Sequence, residues 1–301
     1  MITLLQLKYF HKLASTEHIT RTAKELYISQ TALSSMIIGL EKELGTQLFE
    51  RSNRAIYLNE AGKLYLKYVD EVFQALDNGS MALKDMAESQ ERKISIAMGT
   101  SQIWLPMIQA FHKEFPQYNI RQCNMSVQEL NVSLNDLSID FVIAGVDDIT
   151  VGEFTHEWIK TDDIYLCVPQ NHRFAKRECV YMDELREEPF INLQVGSPWR
   201  RYCDRLFEKA GYKVHSVLEC DYTMRASLIE AEFGVALTTS SAREVGLLNP
   251  NLYIRVADEY TRRELALFWN PRKYISKAMM DFKGYCTNYW KSGVASEPCS
   301  R

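Results

Sequence analysis

The sequence predicts a mixed α/β chain in three parts: a small winged helical head, one long helix, and a doubly wound α/β body. Three observations carry this reading. Through residues 1–59 apolar side chains recur at helical steps in short, separately capped runs. A proline-free stretch follows, with a single apolar seam. From Arg92 onward short apolar strands alternate with amphipathic helical segments, the pattern of a sheet covered by helices.

In the head, Leu4, Leu7 and Phe10, with Leu13 and Ala14 beyond, place a first helix. Thr20 is a candidate cap for a second helix containing Ala23 and Leu26. Ser29 is the candidate cap for a third, with Leu33, Met36, Ile37, Leu40 and Leu44 inside it. Hydroxyls suit such positions because they accept from the free amides of a first helical turn. Gly45 stands where a helix end wants a left-handed residue, while Gly39 inside the third helix costs about 1 kcal/mol against Ala. Leu48 and Phe49, the polar basic tip Arg51–Arg54, and Ile56–Leu58 then read as a β-wing. Asn59 is a cap signal for the long helix, expected over Glu60–Glu88. Its seam is read as Leu66, Val69, Phe73, Leu76, Leu83 and Ala87, with Ser80 completing the spacing, and is expected to hold two copies together. An ordinary amphipathic helix packed on its own domain is the alternative.

In the body, Ile94, Ile96 and Met98 mark a strand, followed by a helix carrying Leu105, Ile108, Phe111 and Phe115. A strand near Ile120, a helix around Leu130 and Leu134, and the wholly apolar run Phe141–Ala144 come next; such a run suits a strand buried on both faces. Ile164–Val168, Phe190–Leu193, Val214–Leu218, Val235–Leu237 and Leu265–Trp269 read as further strands, and Ser276–Trp290 as the last helix.

Composition narrows the function classes. Of 301 residues, 46% are apolar and 25% charged, an ordinary globular balance, and the net charge is −4. The charge is unevenly spread. Residues 1–59 hold seven Lys and Arg against five Glu, so the head is +2 and the remainder −6. A nucleic-acid-binding protein needs a favourable surface only where phosphates lie. Seven cysteines form no C-x-x-C pair, and six histidines show no metal-ligand spacing. No P-loop, dinucleotide fingerprint or nucleophile elbow is present, so neither an enzyme nor a cofactor or metal is expected. Lys8, His11 and Lys12 interrupt the apolar residues at the start, which argues against a signal peptide, and no run reaches the roughly 18 apolar residues of a membrane helix. A reduced, cytoplasmic protein with no membrane partner is expected.

Candidate contact residues fall in two places. The third helix has no charged residue between Ser29 and Leu40, and its start displays Ser29, Gln30, Thr31, Ser34 and Ser35. Gln matches the edge of adenine in two hydrogen bonds, and Ser or Thr meets bases or phosphates; a merely solvated polar face is the bland reading. Arg51 and Arg54 flank the wing; Arg54 at the tip is the better DNA candidate, while Arg51 beside Leu48-Phe49 suits a structural pairing with Glu50 or Glu43. In the body, Thr100, Ser101 and Gln102 join a strand to a helix, where hydroxyls and amides hold a carboxylate or phosphate. Ser126, Gly196, Ser197 and Thr223 open other segments and are further candidates to face the same cleft, and simple capping competes with ligand contact for each. Cys203, read as standing at a helix start, raises a thiol-sensing alternative.

The stretches Leu7-Lys-Tyr-Phe, Ile19–Ala23, Ser29–Ser34, Leu40–Gly45, Leu48–Arg51 and Ala61-Gly62 resemble, in order and spacing, the N-terminal signature of LysR-type transcriptional regulators. Thr22 departs from the usual Ala and Asn59 from the usual Thr. Pro169–His172, Leu185–Phe190, Gly196-Ser197, Ala210-Gly211 and Glu232–Thr239 resemble segments of that family's effector-binding domain, with Thr239 where Pro is usual. The resemblance implies a winged helix-turn-helix at 1–59, a linker and dimerisation helix at 60–91, and a two-subdomain effector-binding domain at 92–301 resembling periplasmic binding proteins. Subdomain I then takes 92–163 and 264–301, subdomain II takes 164–263, and the crossovers fall near Thr161–Ile164 and Arg262–Leu265. It implies as partners double-stranded DNA with two-fold-related half-sites, a small polar or anionic effector, and a second copy of the chain, with a homotetramer left open. A solute-binding protein or enzyme on the same body is the competing class, and it lacks a secretion signal or catalytic constellation.

Overall fold

The computed structural model describes residues 1–52, 55–86, 93–99, 101–150 and 152–290. The chain divides into two compact units, Met1–Met86 and Ala87–Arg301.

The first unit contains α1 (Leu4–Thr16), α2 (Ile19–Glu25), α3 (Gln30–Leu44), the ribbon β1 (Phe49–Ser52) and β2 (Ala55–Leu58), and α4 (Glu60–Met86). Each boundary has a local cause. Thr3 and Gln6 cap α1 reciprocally, and Ser29 Oγ accepts from Ala32 N at 3.1 Å to start α3. Gly45 ends α3 with φ of 67°. Asn59 opens α4 by accepting from Gly62 N at 2.8 Å, and its Nδ2 donates to Gln47 O at 2.9 Å. The second helix corrects the expectation. His18, not Thr20, is its cap, with Nδ1 accepting from Arg21 N at 3.3 Å, so Thr20 lies in the first turn. Thr22 is fully buried, and its hydroxyl is satisfied by His18 O at 2.9 Å and by the Thr16 hydroxyl, which is why a polar residue is tolerated there.

The seam read along α4 divides in two. Val69 is buried in the head core beside Phe10, Leu13, Leu33, Ile37 and Leu40, and Leu66 and Phe73 pack against the same cluster. Tyr65 meets Phe10 with ring centroids 5.5 Å apart, and Phe73 meets His11 at 5.8 Å. Leu76 and Leu83 do not join them; they are 49% and 69% exposed. They lie instead on a stripe with Leu64, Tyr68 and Val72, all exposed. At 3.6 residues per turn each four-residue step advances only about 40°, so the stripe winds slowly around the helix and borders the buried face at Leu76. Ala87 lies outside the described residues.

The second unit contains β3 (Lys93–Met98), α5 (Ser101–Glu114), β4 (Asn119–Cys123), α6 (Val127–Asn135), β5 (Phe141–Gly145), β6 (Thr155–Val168), β7 (Cys179–Val180), β8 (Phe190–Leu193), α7 (Pro198–Lys209), β9 (Ser216–Cys220), α8 (Tyr222–Glu230), β10 (Ala236–Thr239), α9 (Ser240–Glu244), β11 (Leu252–Val256), β12 (Arg262–Trp269) and α10 (Lys277–Tyr289). One half has strand order β4-β3-β5-β12-β6, with β3 parallel to β4 and β5, and β12 antiparallel to β5 and β6. The other repeats the pattern: β9 lies parallel to β8, β8 meets the start of β10 through a parallel Phe190–Val235 bridge, and β10 and β11 run antiparallel to β6. β6 belongs to both. Its residues Thr155–Asp163 pair with β12, and Ile164–Val168 pair with β10 and β11. Periodicity reads only the apolar end of β6, because Glu157, Lys160, Asp162 and Asp163 break the run. Thr239, where Pro is usual, caps the short α9 by accepting from Ala242 N at 3.2 Å. Separate cores fill the halves, one around Phe111, Phe141 and Phe282 and the other around Phe190, Leu206 and Phe207.

Candidate functional site

In the first unit, α2, the turn after it and α3 form a helix-turn-helix. Leu33, Ile37 and Leu40 are at most 1% exposed and hold one face of α3 to the core. The opposite face therefore points outward: Ser29, Gln30, Thr31 and Ser35 are exposed and Ser34 half-buried. Ser29 and Thr31 share a hydroxyl hydrogen bond of 3.0 Å, so Ser29 is both cap and part of the polar face. The turn contains Tyr27, 95% exposed and held at φ of 57°. Behind this surface Glu41 Oε1 accepts from Leu48 N at 2.8 Å and Phe49 N at 3.2 Å, fastening the root of the wing to α3. Glu17 Oε1 accepts from Leu58 N at 2.8 Å, fastening the other strand. A Cβ at Gly62 would strike the Leu48 carbonyl oxygen, so only glycine lets α4 leave the wing this closely. Arg51 stands opposite Ile56 in the ribbon, and Arg54 lies outside the described residues.

In the second unit a narrow crevice runs between the halves. Its lining combines apolar residues, among them Ile103, Trp104, Ile143 and Leu265, with Asp162, Trp199, Tyr222, Thr238, Thr239 and Arg263. Arg263, opposite Asp162 in the β12–β6 register, donates from Nη2 to Asp148 Oδ2 at 2.8 Å. Asp148 is fully buried, and Gly145 N also donates to it at 3.1 Å. The guanidinium lies 5.5 Å from the Trp199 ring and 5.4 Å from the Tyr202 ring, while those rings stack at 5.6 Å. Asp162 Oδ1 accepts from Ser240 Oγ at 2.9 Å, Ser241 Oγ at 2.5 Å and Ser241 N at 3.2 Å, with Lys160 Nζ at 3.4 Å. Among the described residues the buried donors Trp199 Nε1 and Arg263 Nε have no hydrogen-bond partner, and neither has the buried acceptor Asp148 Oδ1.

The expected ligand residues are distributed as follows. Ser126, Gly196 and Ser197 line a second pocket, which shares Gly99, Pro198 and Tyr222 with the crevice, and there Val127 N donates to Gly196 O at 3.3 Å across the two halves. Ser126 Oγ also caps α6 by accepting from Glu129 N, and Ser197 Oγ caps α7 by accepting from Arg200 N. Thr223 is exposed, its hydroxyl donating to Asp221, the cap of α8. Ser101 opens α5 and Gln102 is exposed beside it; Thr100 lies outside the described residues. Sequence reasoning missed Asp148, Asp162, Trp199 and Arg263. One signal was available: Asp162-Asp163 and Arg262-Arg263 are like-charge pairs that directly precede apolar strand segments, at the two expected crossovers.

The family described as "LysR substrate binding domain" matches residues 87–291, and "Bacterial regulatory helix-turn-helix protein, lysR family" matches residues 4–63. This chain belongs to the LysR family. It is a LysR-type transcriptional regulator with a helix-turn-helix DNA-binding domain and an effector-binding domain. It is 28% identical to the HTH-type transcriptional regulator YybE of Bacillus subtilis (strain 168), over 95% of this chain and 98% of that protein. It is 26% identical to the transcriptional dual regulator GltC of the same organism, over 95% and 97%. A full-length OxyR variant from Pseudomonas aeruginosa shares the fold, with TM-score 0.65 at 19% identity, covering 99% of each chain.

In this LysR-type regulator the thiol expectation at Cys203 needs correction. Cys203 lies in the body of α7 rather than at its start, it is buried, and burial pushes its pKa up to about 12. A protonated, enclosed thiol is a poor nucleophile. Among the described residues no helix is long and apolar enough to cross a membrane.

Proposed function

We propose that this LysR-type regulator binds double-stranded DNA as a homodimer, with α3 in the major groove, and that a small polar or anionic effector in the crevice shifts its activity. One observation carries the DNA reading. Gln30, Thr31, Ser34 and Ser35 form an uncharged polar row on the outward face of a helix whose other face is locked in a core. Uncharged amides and hydroxyls discriminate base edges, whereas phosphates are met elsewhere, for which Arg51 and Arg54 of the wing are proposed. Two-fold-related half-sites require two heads, and the exposed stripe Leu64, Tyr68, Val72 and Leu76 is the proposed contact between copies. The test is to sequence the genomic DNA that the protein retains, then titrate that operator against the Gln30→Ala and Ser34→Ala variants. A loss of about 1–3 kcal/mol of specific binding is expected for each good base contact. Unchanged affinity in both variants removes α3 as the reading element.

For the effector, the support is that the crevice lies between two halves joined through β6 and β12. A ligand that touches both walls stabilises one relative placement over another, which is the condition for a switch. Thr100, Ser101, Gln102, Ser126, Gly196, Ser197 and Thr223 remain the proposed outer contacts of that ligand.

A further inference from the structure

The outward face of α3 carries one large apolar side chain among its polar ones: Ile38, 50% exposed. Resting on the reading of α3 as the element that enters the major groove, we propose that Ile38 reads a base, its side chain meeting the 5-methyl group of a thymine in each half-site.

Three features support this. First, Ile38 follows Ser34 by four residues and Ser35 by three, so it lies on the same face one turn further along the helix. Thr31, Ser34 and Ile38 stand at steps of three and four, while Leu33, Ile37 and Leu40 on the other side are buried. At 1.5 Å per residue Ile38 lies about 10.5 Å beyond Thr31 along the axis, which is about three base steps of 3.4 Å. Second, its charged neighbours are arranged for a DNA contact at this end of α3. Ile38 borders a recess between α3 and the wing, whose charged residues are Glu41, Lys42 and Glu50. The Glu41 carboxylate is turned to the wing root, where it accepts from Leu48 N and Phe49 N, leaving Lys42 to balance Glu50. Lys42 stands four residues beyond Ile38, exposed and in no ion pair among the described residues, so a cation able to meet a phosphate lies one turn past the apolar contact. Third, Ile38 has no local reason to be apolar. Half its surface stays in water, so it returns little as a core residue, and its β-branch makes it a weaker helix former than Ala, Lys or Glu. A surface isoleucine standing alone is ordinary, but within a row of base-reading groups the thymine methyl is the apolar feature of the groove that fits it.

The test titrates the full-length protein, by fluorescence anisotropy at fixed salt, against duplexes of the genomic sequence it retains, with each thymine replaced in turn by deoxyuridine. That exchange removes one methyl group and leaves every hydrogen bond of the base pair in place. At one thymine per half-site the wild-type affinity is expected to fall about fourfold, the worth of one buried methyl group. Ile38→Ala is expected to bind the thymine and uracil duplexes alike at that position, while Ser34→Ala keeps the fourfold preference. Thermal unfolding followed by circular dichroism separates a lost contact from a loss of folding. A wild-type scan in which no methyl group matters, a methyl preference that persists in Ile38→Ala, or an affinity loss in Ile38→Ala that is equal on operator and random duplexes would each overturn the assignment. The Gln30→Ala and Ser34→Ala titrations distinguish that outcome from failure of the α3 reading. Specific binding lost in those two variants, with a flat uracil scan, removes Ile38 alone; unchanged affinity in all three variants removes α3 as the reading element and Ile38 with it.

Discussion

The outward face of α3 and the crevice wall both present polar groups without protein partners, but at opposite depths. Gln30 and Ser35 are solvated, so their unmet hydrogen bonds are met by water and the face can wait for DNA at no cost. Trp199 Nε1, Arg263 Nε and two nitrogens of Arg225 are buried, where an unmet donor costs about 1–3 kcal/mol each. The first kind of surface is read by its pattern. The second is read by what it lacks. A solvated row identifies a surface that can discriminate among partners, whereas a buried deficit specifies the charge and hydrogen-bonding character of the partner.

The largest effect that tests this contrast is expected from Arg263→Met. It removes the nearer cation of the fully buried Asp148, leaving only Arg205 at 3.9 Å, and breaking a buried pair from one side costs about 3–5 kcal/mol. Urea unfolding that shows a loss below about 1 kcal/mol would mean that the crevice wall is as solvated as α3, and the contrast in depth would disappear. Next comes the division of α4. Leu76→Asp is expected to leave helix content intact and to raise the dimer dissociation constant by about two orders of magnitude, because the new charge must be desolvated at the contact. Phe73→Asp is expected to destabilise the head itself, by about 2–4 kcal/mol, since Phe73 packs on the head core. Sedimentation and thermal unfolding of the two variants separate the faces, and a dimer that dissociates in Phe73→Asp while Leu76→Asp stays intact reverses the assignment. A smaller effect on stability is expected from Gln30→Ala, within about 0.5 kcal/mol of the parent, while its specific DNA binding falls. A marked loss of stability there would show that Gln30 is a structural residue.

The smallest effect concerns Tyr27. A non-glycine residue at φ of 57° carries a penalty of about 1–2 kcal/mol, part of which glycine returns through the entropy of the unfolded chain. Tyr27→Gly is therefore expected to raise head stability by about 0.5–1 kcal/mol in thermal unfolding. A destabilised variant would mean that the exposed ring makes a stabilising contact that exceeds the backbone strain.

Much of the head was legible because its signals are local. Ser29, Gly45 and Asn59 act within three or four residues of themselves, so composition and spacing reveal them directly. Thr20 misled for the same reason: a hydroxyl at a plausible position is indistinguishable in sequence from a true cap, and the imidazole of His18 took the role by geometry. The body's alternation of strands and helices was equally readable, while β7 and β11 were not, being short and carrying Arg255 and Tyr253 within or beside their apolar residues.

The sequence by itself determined that a helix-turn-helix precedes a long helix and an α/β body, that α3 begins with an uncharged polar row, and that α4 is amphipathic. Those properties follow from periods, caps and charge, which are fixed by neighbours in the chain. Only the tertiary structure decided which apolar residues of α4 face the head, because the two stripes overlap in sequence and are separated by the shape of the core they meet. It alone also joined Arg263 to Asp148, 115 residues apart, and set Trp199 beside them. A site assembled from β12, the segment after β5 and α7 has no local period, and its unmet donors exist only once burial has removed the water.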